Sequence, residues 1–243
     1  MELAEFDAIY RSVFAANGLQ RFCTDRNIEC FFRFTQIFLE TNRYINLTAI
    51  RDVPGVIAKH FADCLLEEPY FPQNATVLDV GCGGGFPTFP LAIVRNDLKI
   101  TALDGTQKKI DFVRSAASVL SLDNIETVCT RAEGDFLRCN REKFDVVTSR
   151  ATANLQVLLE IAFPYVKIGG TMVALKGAKG DEELQSSGEA VHILGGGNVK
   201  DDFMELRTFE GLTEARHLIV IEKNSATPKQ FPRQYSVITK KPL

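Results

Sequence analysis

The sequence predicts an α/β fold: a seven-stranded, mostly parallel sheet with an antiparallel terminal strand pair and an N-terminal helical extension. Three observations predict it. From residue 76 onward, short β-branched runs alternate with helical segments, the pattern of a parallel sheet covered on both faces. The first of these runs passes directly into a glycine-rich loop and then into a helix. Residues 1–72, by contrast, carry only helical periodicity, which divides the chain into an extension over 1–72 and a sheet domain over 73–243.

In the extension, Phe6, Ile9, Tyr10, Val13 and Phe14 follow the i, i+3, i+4, i+7, i+8 spacing of one buried helical face. Ile28, Phe31, Phe32, Thr35, Phe38 and Leu39 repeat it. Asp52 is placed to cap a third helix, with Pro54 in its first turn and Val56, His60, Phe61 and Leu65 inside. Phe71-Pro72-Gln73-Asn74 reads as a connection. The expected strands are 76–80, 99–104, 125–129, 144–148, 171–176, 202–208 and 217–222. Helices are expected over 87–94, 107–122 and 154–166. The last two strands flank Gly211 and form the antiparallel pair. Gly195-Gly196-Gly197 ends a helix and opens a strand, because an anion-binding loop leads into a helix instead.

The segment from Val77 to Pro87 carries most of the functional information. An apolar strand, Val77-Leu78-Asp79-Val80, meets Gly81-Cys82-Gly83-Gly84-Gly85-Phe86-Pro87. Glycine permits positive φ and lets a ligand approach bare backbone, and at the carboxyl edge of a parallel sheet this builds a nucleotide-shaped crevice. A dinucleotide fingerprint would place glycine at 86, where this chain has Phe86. Asp79 followed by Gly-x-Gly instead resembles the first signature of adenosylmethionine-dependent methyltransferases. Asp104 ends the next strand and can accept hydrogen bonds from both ribose hydroxyls. Two roles stay open for Asp79: organising the loop backbone, or holding the ligand's amino group. Cys82 is a small filler of the loop, with no histidine nearby in sequence to activate it.

Charge and cysteine content narrow the alternatives. The net charge of −3 argues mildly against a nucleic-acid partner, but residues 216–243 carry six positive side chains against Glu222 alone. Such an end can bind phosphate locally, or be a solvated tail. No cysteine pair has metal or redox spacing, so most cysteines are expected to be reduced and buried. Three scattered histidines predict no metal site. No apolar run reaches membrane-spanning length, and the N-terminus lacks a basic-then-apolar layout, which predicts a cytoplasmic protein. Oligomeric state is not legible.

Several further motifs resemble one methyltransferase family, RsmG (also called GidB). These are Asn46-Leu47-Thr48-Ala49-Ile50-Arg51-Asp52, Lys59-His60-Phe61-Ala62-Asp63-Cys64-Leu65 (the family usually has serine at 64), and the loop Gly81–Pro87. Arg131-Ala132-Glu133, Ser149-Arg150-Ala151, Leu175-Lys176-Gly177, Thr227-Pro228, Phe231-Pro232-Arg233 and the ending Lys240-Lys241-Pro242-Leu243 are similar as well. Between Arg233 and Lys240 the chain departs from the family's usual glycine- and proline-containing form. The resemblance runs from about residue 40 to the end. It implies a Rossmann-like class I methyltransferase fold, S-adenosylmethionine as methyl donor, and N7 of guanine 527 in 16S rRNA of the 30S subunit as target. It places the cofactor against Gly81, Phe86, Asp104-Gly105-Thr106, Ala132-Glu133 and Arg150, to which the loop reading adds Asp79 and Gly83.

The expected chemistry needs no general base. Guanine N7 has an in-plane lone pair and no proton to lose, so alignment and a dry site suffice. The Asn/Asp-Pro-Pro-aromatic motif of many amine-directed methyltransferases is replaced here by Thr148-Ser149-Arg150-Ala151. Arg150 stays protonated and is cast as an organiser; its plainer role is a strand-end ion pair. Glu133 or the Ala132 backbone would recognise adenine. His60 reads as an interior hydrogen-bonded histidine. Lys176, Arg216, Lys229, Arg233 and Lys240 are the RNA-contact candidates. Three alternatives carry weight. A nicotinamide oxidoreductase is opposed by Phe86 and the antiparallel pair, and a small-molecule methyltransferase by the basic tail. A non-catalytic binding module is opposed by the retention of Gly81, Gly83 and Asp104.

Overall fold

The structure is a computed structural model that describes residues 1–150 and 153–243. Ala151 of the Ser149–Ala151 motif lies outside them. The N-terminal extension holds α1 (Leu3–Ala16) and α2 (Asp25–Ile45). Thr24 caps α2 by accepting from the Asn27 amide, and Asn46 ends it in the left-handed region at φ 48°. Asp52 accepts from the Gly55 amide at 2.7 Å and starts α3 (Val53–Val56). The helix widens to a π-helical stretch over Ile57–Ala62 and closes as α4 (Asp63–Leu65).

The sheet follows as β1 (Thr76–Val80), α5 (Thr88–Val94), β2 (Lys99–Asp104), α6 (Gln107–Leu120), β3 (Ile125–Cys129), α7 (Phe136–Asn140) and β4 (Phe144–Arg150). It continues with α8 (Leu155–Ala162), β5 (Val166–Lys176), α9 (Gly180–Gln185), α10 (Gly188–Ile193), β6 (Gly196–Arg207), β7 (Thr213–Lys223) and α11 (Tyr235–Lys240). The strand order is β3-β2-β1-β4-β5-β7-β6. Strands β1 to β5 run parallel, and β7 enters antiparallel to both β5 and β6. The order reverses between β1 and β4, so the carboxyl ends of β1, β2 and β4 open onto one crevice.

One face of the sheet packs against the extension. Phe34, Phe38 and Phe61 are buried with Phe86 and Phe89 of the glycine-loop segment. The Phe34 and Phe89 ring centroids lie 4.3 Å apart, and Phe38 meets Phe86 edge-on at 5.1 Å. Each such buried ring contributes about 1.5–3 kcal/mol. Phe34, three residues after Phe31 and four before Phe38, lies on their buried face, which is rotated toward Phe34 and away from the half-buried Phe32 and Leu39, where α2 packs against α1, α5 and α6. The opposite sheet face packs against α8, α10 and α11 through Leu155, Leu159, Val191 and Ile238.

Two expectations need adjusting. β6 begins at Gly196 rather than near 202, because an edge strand with one neighbour tolerates the exposed, mostly polar run 198–201 without a buried apolar alternation. Of the six free cysteines only Cys64 and Cys82 are buried, while Cys129 on edge strand β3 and Cys139 on α7 are exposed. Among the described residues no helix is long and apolar enough to cross a membrane.

Candidate cofactor and substrate site

The glycine loop wraps the end of β1. Gly81, Gly83 and Gly85 have positive φ, which side-chain-bearing residues adopt at a cost. A Cβ placed on Gly83 would meet nothing closer than the Gly81 carbonyl at 3.9 Å, so it would project into open space beside the crevice. The Gly83 amide donates to Asp104 Oδ2 at 3.1 Å, and the Thr106 amide donates to Oδ1 at 2.8 Å. Asp104 thus ties the β1 loop to the β2 turn, and each carboxylate oxygen keeps further acceptor capacity.

Behind the loop, Asp79 is fully buried. Its Oδ2 accepts from the Thr88 hydroxyl at 2.6 Å and from the Thr88 amide at 3.3 Å. Asp79 therefore organises the first turn of α5. Its Oδ1 has no hydrogen-bond partner among the described residues. Burial raises its pKa to about 7, against the Thr88 hydrogen bonds that oppose the rise. Glu67 is buried nearby and accepts from Thr148 at 2.8 Å; burial pushes it well above the usual carboxylate range.

A cavity of about 250 Å³ opens beside Asp104. Gly81, Gly105, Thr106, Ala132 and Glu133 line it, so most of the residues predicted for the cofactor meet in one place. Its acceptors suit ribose hydroxyls and an amine, and its Leu103 and Ile161 walls suit a flat apolar ring. Those features fit adenosylmethionine. Tyr235 of α11 and Ile161 of α8 also line this cavity and carry no motif.

Phe86 and Arg150 belong to an adjoining cluster. His60 stacks on Phe86 at 4.3 Å with the planes 17° apart, and the Arg150 guanidinium sits 5.2 Å from the same ring. Arg150 donates to His60 Nδ1 at 2.9 Å and to the Lys59 carbonyl at 2.9 Å, and pairs with Asp63 at 3.3 Å. A guanidinium only donates, so His60 carries its proton on Nε2 and gives it to the Thr48 hydroxyl at 3.0 Å. Burial, with the Arg150 charge beside it, lowers the His60 pKa to about 3. A cleft of about 610 Å³ runs past His60, Asp63, Arg150, Lys176, Glu183 and Arg216.

The basic candidates divide. Arg216 pairs with Asp63 at 2.6 Å and Glu214 at 2.8 Å, Arg233 binds the fully buried Glu160, and Lys176 is 6% exposed and bound to Glu183 at 3.0 Å. Lys229 and Lys240 are exposed. The tail's charge excess is thus partly neutralised by acids far away in sequence.

Comparison with known proteins agrees with this geometry. A family model described as rRNA small subunit methyltransferase G matches residues 27–207. The chain is 42% identical over 216 residues to the ribosomal RNA small subunit methyltransferase G of Clostridium perfringens strain SM101, covering 88% of this chain and 89% of that one. It is 41% identical over 239 residues to the same-named protein of Brevibacillus brevis, covering 96% and 98%. Among solved structures, a SAM-dependent methyltransferase from Aquifex aeolicus superposes with TM-score 0.51 at 17% identity, over 69% of this chain and 93% of that one. Pyrococcus horikoshii TYW2, solved with MeSAdo, gives 0.51 at 15%, over 67% and 62%. The fold is that of adenosylmethionine-dependent methyltransferases, and this chain belongs to the rRNA small subunit methyltransferase G family.

Proposed function

We propose that this chain is a cytoplasmic enzyme that transfers the methyl group of S-adenosylmethionine to N7 of guanine 527 in 16S rRNA, with the 30S subunit as its partner. One observation carries the reading. Each acid or imidazole lining the 610 Å³ cleft is already engaged: His60 by Arg150 and Thr48, Asp63 by Arg150 and Arg216, Glu183 by Lys176. A reaction that must strip a proton from its nucleophile is poorly served there. Guanine N7 presents a lone pair with no proton, and it asks only to be aligned.

Adenosylmethionine supplies a methyl group on positively charged sulfur. The chain's residues hold and orient it. Asp104 accepts from the ribose hydroxyls while keeping its bonds to Gly83 and Thr106. The Ala132–Glu133 turn meets the adenine, and the loop through Gly81 and Gly83 leaves its bare backbone open to the ligand. Asp79 fixes the start of α5 beneath them. Phe86, Arg150 and His60 form the wall toward the RNA cleft. Among them, neutral His60 adds no charge beside a guanine that becomes positive on methylation. Lys229 and Lys240, like Lys241, are exposed tail cations available to phosphate, while Arg216, Arg233 and Lys176 act through their carboxylate partners. Methyl-labelled adenosylmethionine incubated with 30S subunits, naked 16S RNA and small-molecule extracts tests the substrate class: label entering RNA supports the reading, and label only in small molecules overturns it.

A further inference from the structure

We propose that Tyr235 of the C-terminal helix is a cofactor-binding residue that forms an aromatic wall against the adenine ring. The inference rests on reading the 250 Å³ cavity as the adenosine site. The cavity's polar lining accounts for ribose and for an amine: Asp104, Gly105, Thr106 and Glu133. A purine also needs a flat, weakly polar surface on its face, because stacked rings gain dispersion and offset-quadrupole attraction that a polar wall does not offer. Leu103, Ile161 and Tyr235 are the large apolar or aromatic side chains that line this cavity, and Tyr235 is the aromatic one.

Its position is fixed from both sides. The Arg233 guanidinium and backbone amide hold Glu160 of α8, with Nε and N each at 2.8 Å from Oε1. Ile238, one helical turn beyond Tyr235, is fully buried against α8. The terminal Leu243 carbonyl accepts from Gln156 at 2.8 Å. Arg131, next to Ala132, places its guanidinium 5.8 Å from the Tyr235 ring centroid. Tyr235 stays 38% exposed although the tail around it is anchored, as expected for a side chain facing a site that a ligand fills. The segment Tyr235–Lys240 folds as α11. The tail therefore belongs in part to the cofactor site, in addition to any contact with RNA.

The test uses the full-length chain and two probes, S-adenosylhomocysteine and 5′-methylthioadenosine, which share the adenosine and differ in the amino-acid arm. By titration calorimetry, Tyr235→Ala is expected to weaken both probes alike, by about three- to tenfold, and Tyr235→Phe to stay within about twofold. Wild-type affinity in Tyr235→Ala, or a loss confined to S-adenosylhomocysteine, overturns the assignment. A second measurement reads the contact in the wild type and uses only the conservative Tyr235→Phe to assign it. With selectively labelled tyrosine, a saturated complex should show nuclear Overhauser contacts between an adenine proton and one tyrosine ring, and these contacts should vanish in Tyr235→Phe. Their absence overturns the assignment. If wild-type protein binds neither probe, the cofactor reading fails and the Tyr235 role fails with it. If wild type binds and Tyr235→Ala binds equally, only the Tyr235 role fails.

Discussion

Arg150 Nη2 donates to His60 Nδ1 at 2.9 Å, which fixes the tautomer of the histidine, while burial and then the Arg150 charge keep it neutral. With its pKa lowered to about 3, His60 stays neutral across the physiological range. The unfolded chain protonates it below about pH 6.5 and the folded chain does not, so its contribution to stability falls as pH drops between 6.5 and 3, by about 1.4 kcal/mol per pH unit. His60→Gln should flatten that part of the stability profile. The His60 Cε1 proton should show no titration between pH 8 and 5 by NMR; a midpoint near 6.5 would break the account of this wall.

Asp79 behaves in the opposite sense. Its folded pKa of about 7 lies above that of an unfolded aspartate, so it weakens the fold progressively as pH rises from about 4 to 7. Asp79→Asn keeps an acceptor for the Thr88 hydroxyl and removes the buried charge. Denaturant melts should show the variant gaining about 1–3 kcal/mol more at pH 8 than at pH 5. Equal gains at both pH values would mean that Asp79 ionises normally in the folded chain.

Asp104 holds the loop and the proposed ribose contact together. Asp104→Ala should cost about 1.5–3 kcal/mol of adenosylmethionine affinity by calorimetry, since charge-assisted hydrogen bonds are lost. Gly83→Asn provides the steric counterpart. Asparagine tolerates the φ of 56° better than other side chains, so the variant should fold while its side chain occupies the open space beside the crevice. Normal affinity in both folded variants would move the cofactor elsewhere.

The basic residues should separate by phenotype. Arg233→Ala strips the partner from buried Glu160 and should lower folding stability by about 1.5–3 kcal/mol. Lys229→Ala and Lys240→Ala should leave the melt unchanged and reduce the salt slope of RNA binding by about 0.7–0.9 per lost phosphate contact. Affinity measured at several salt concentrations decides the matter; slopes identical to wild type in both variants would leave Lys229 and Lys240 without an RNA role.

What the sequence made legible was local. Strand, glycine loop, helix and the acid at the next strand end are contiguous signals, and the structure joins them through the Gly83–Asp104 hydrogen bond. Pairings across the fold were not legible. Arg216 meets Asp63 from 153 residues away and Arg233 meets Glu160 from 73, so counting charges in the tail alone overstated its free positive charge. Phe34 fits the spacing from Phe31 to Phe38, but the apolar Phe32 and Leu39 on the other edge drew the expected stripe away from it, and tertiary packing buries the Phe34 edge instead. Helix α11 is short, follows two prolines and is held by tertiary contacts rather than propensity, so nothing in its own residues placed Tyr235 beside Asp104.

The most direct test of the account is the identity of the methylated atom. 30S subunits from cells lacking this activity, treated with the enzyme and adenosylmethionine, should give RNA that cleaves at guanine 527 after borohydride reduction and aniline, the chemistry selective for N7-methylguanine. Untreated subunits should not cleave there. Methyl incorporation without cleavage at that base, or cleavage at a different guanine, would contradict the proposed N7 chemistry or its target.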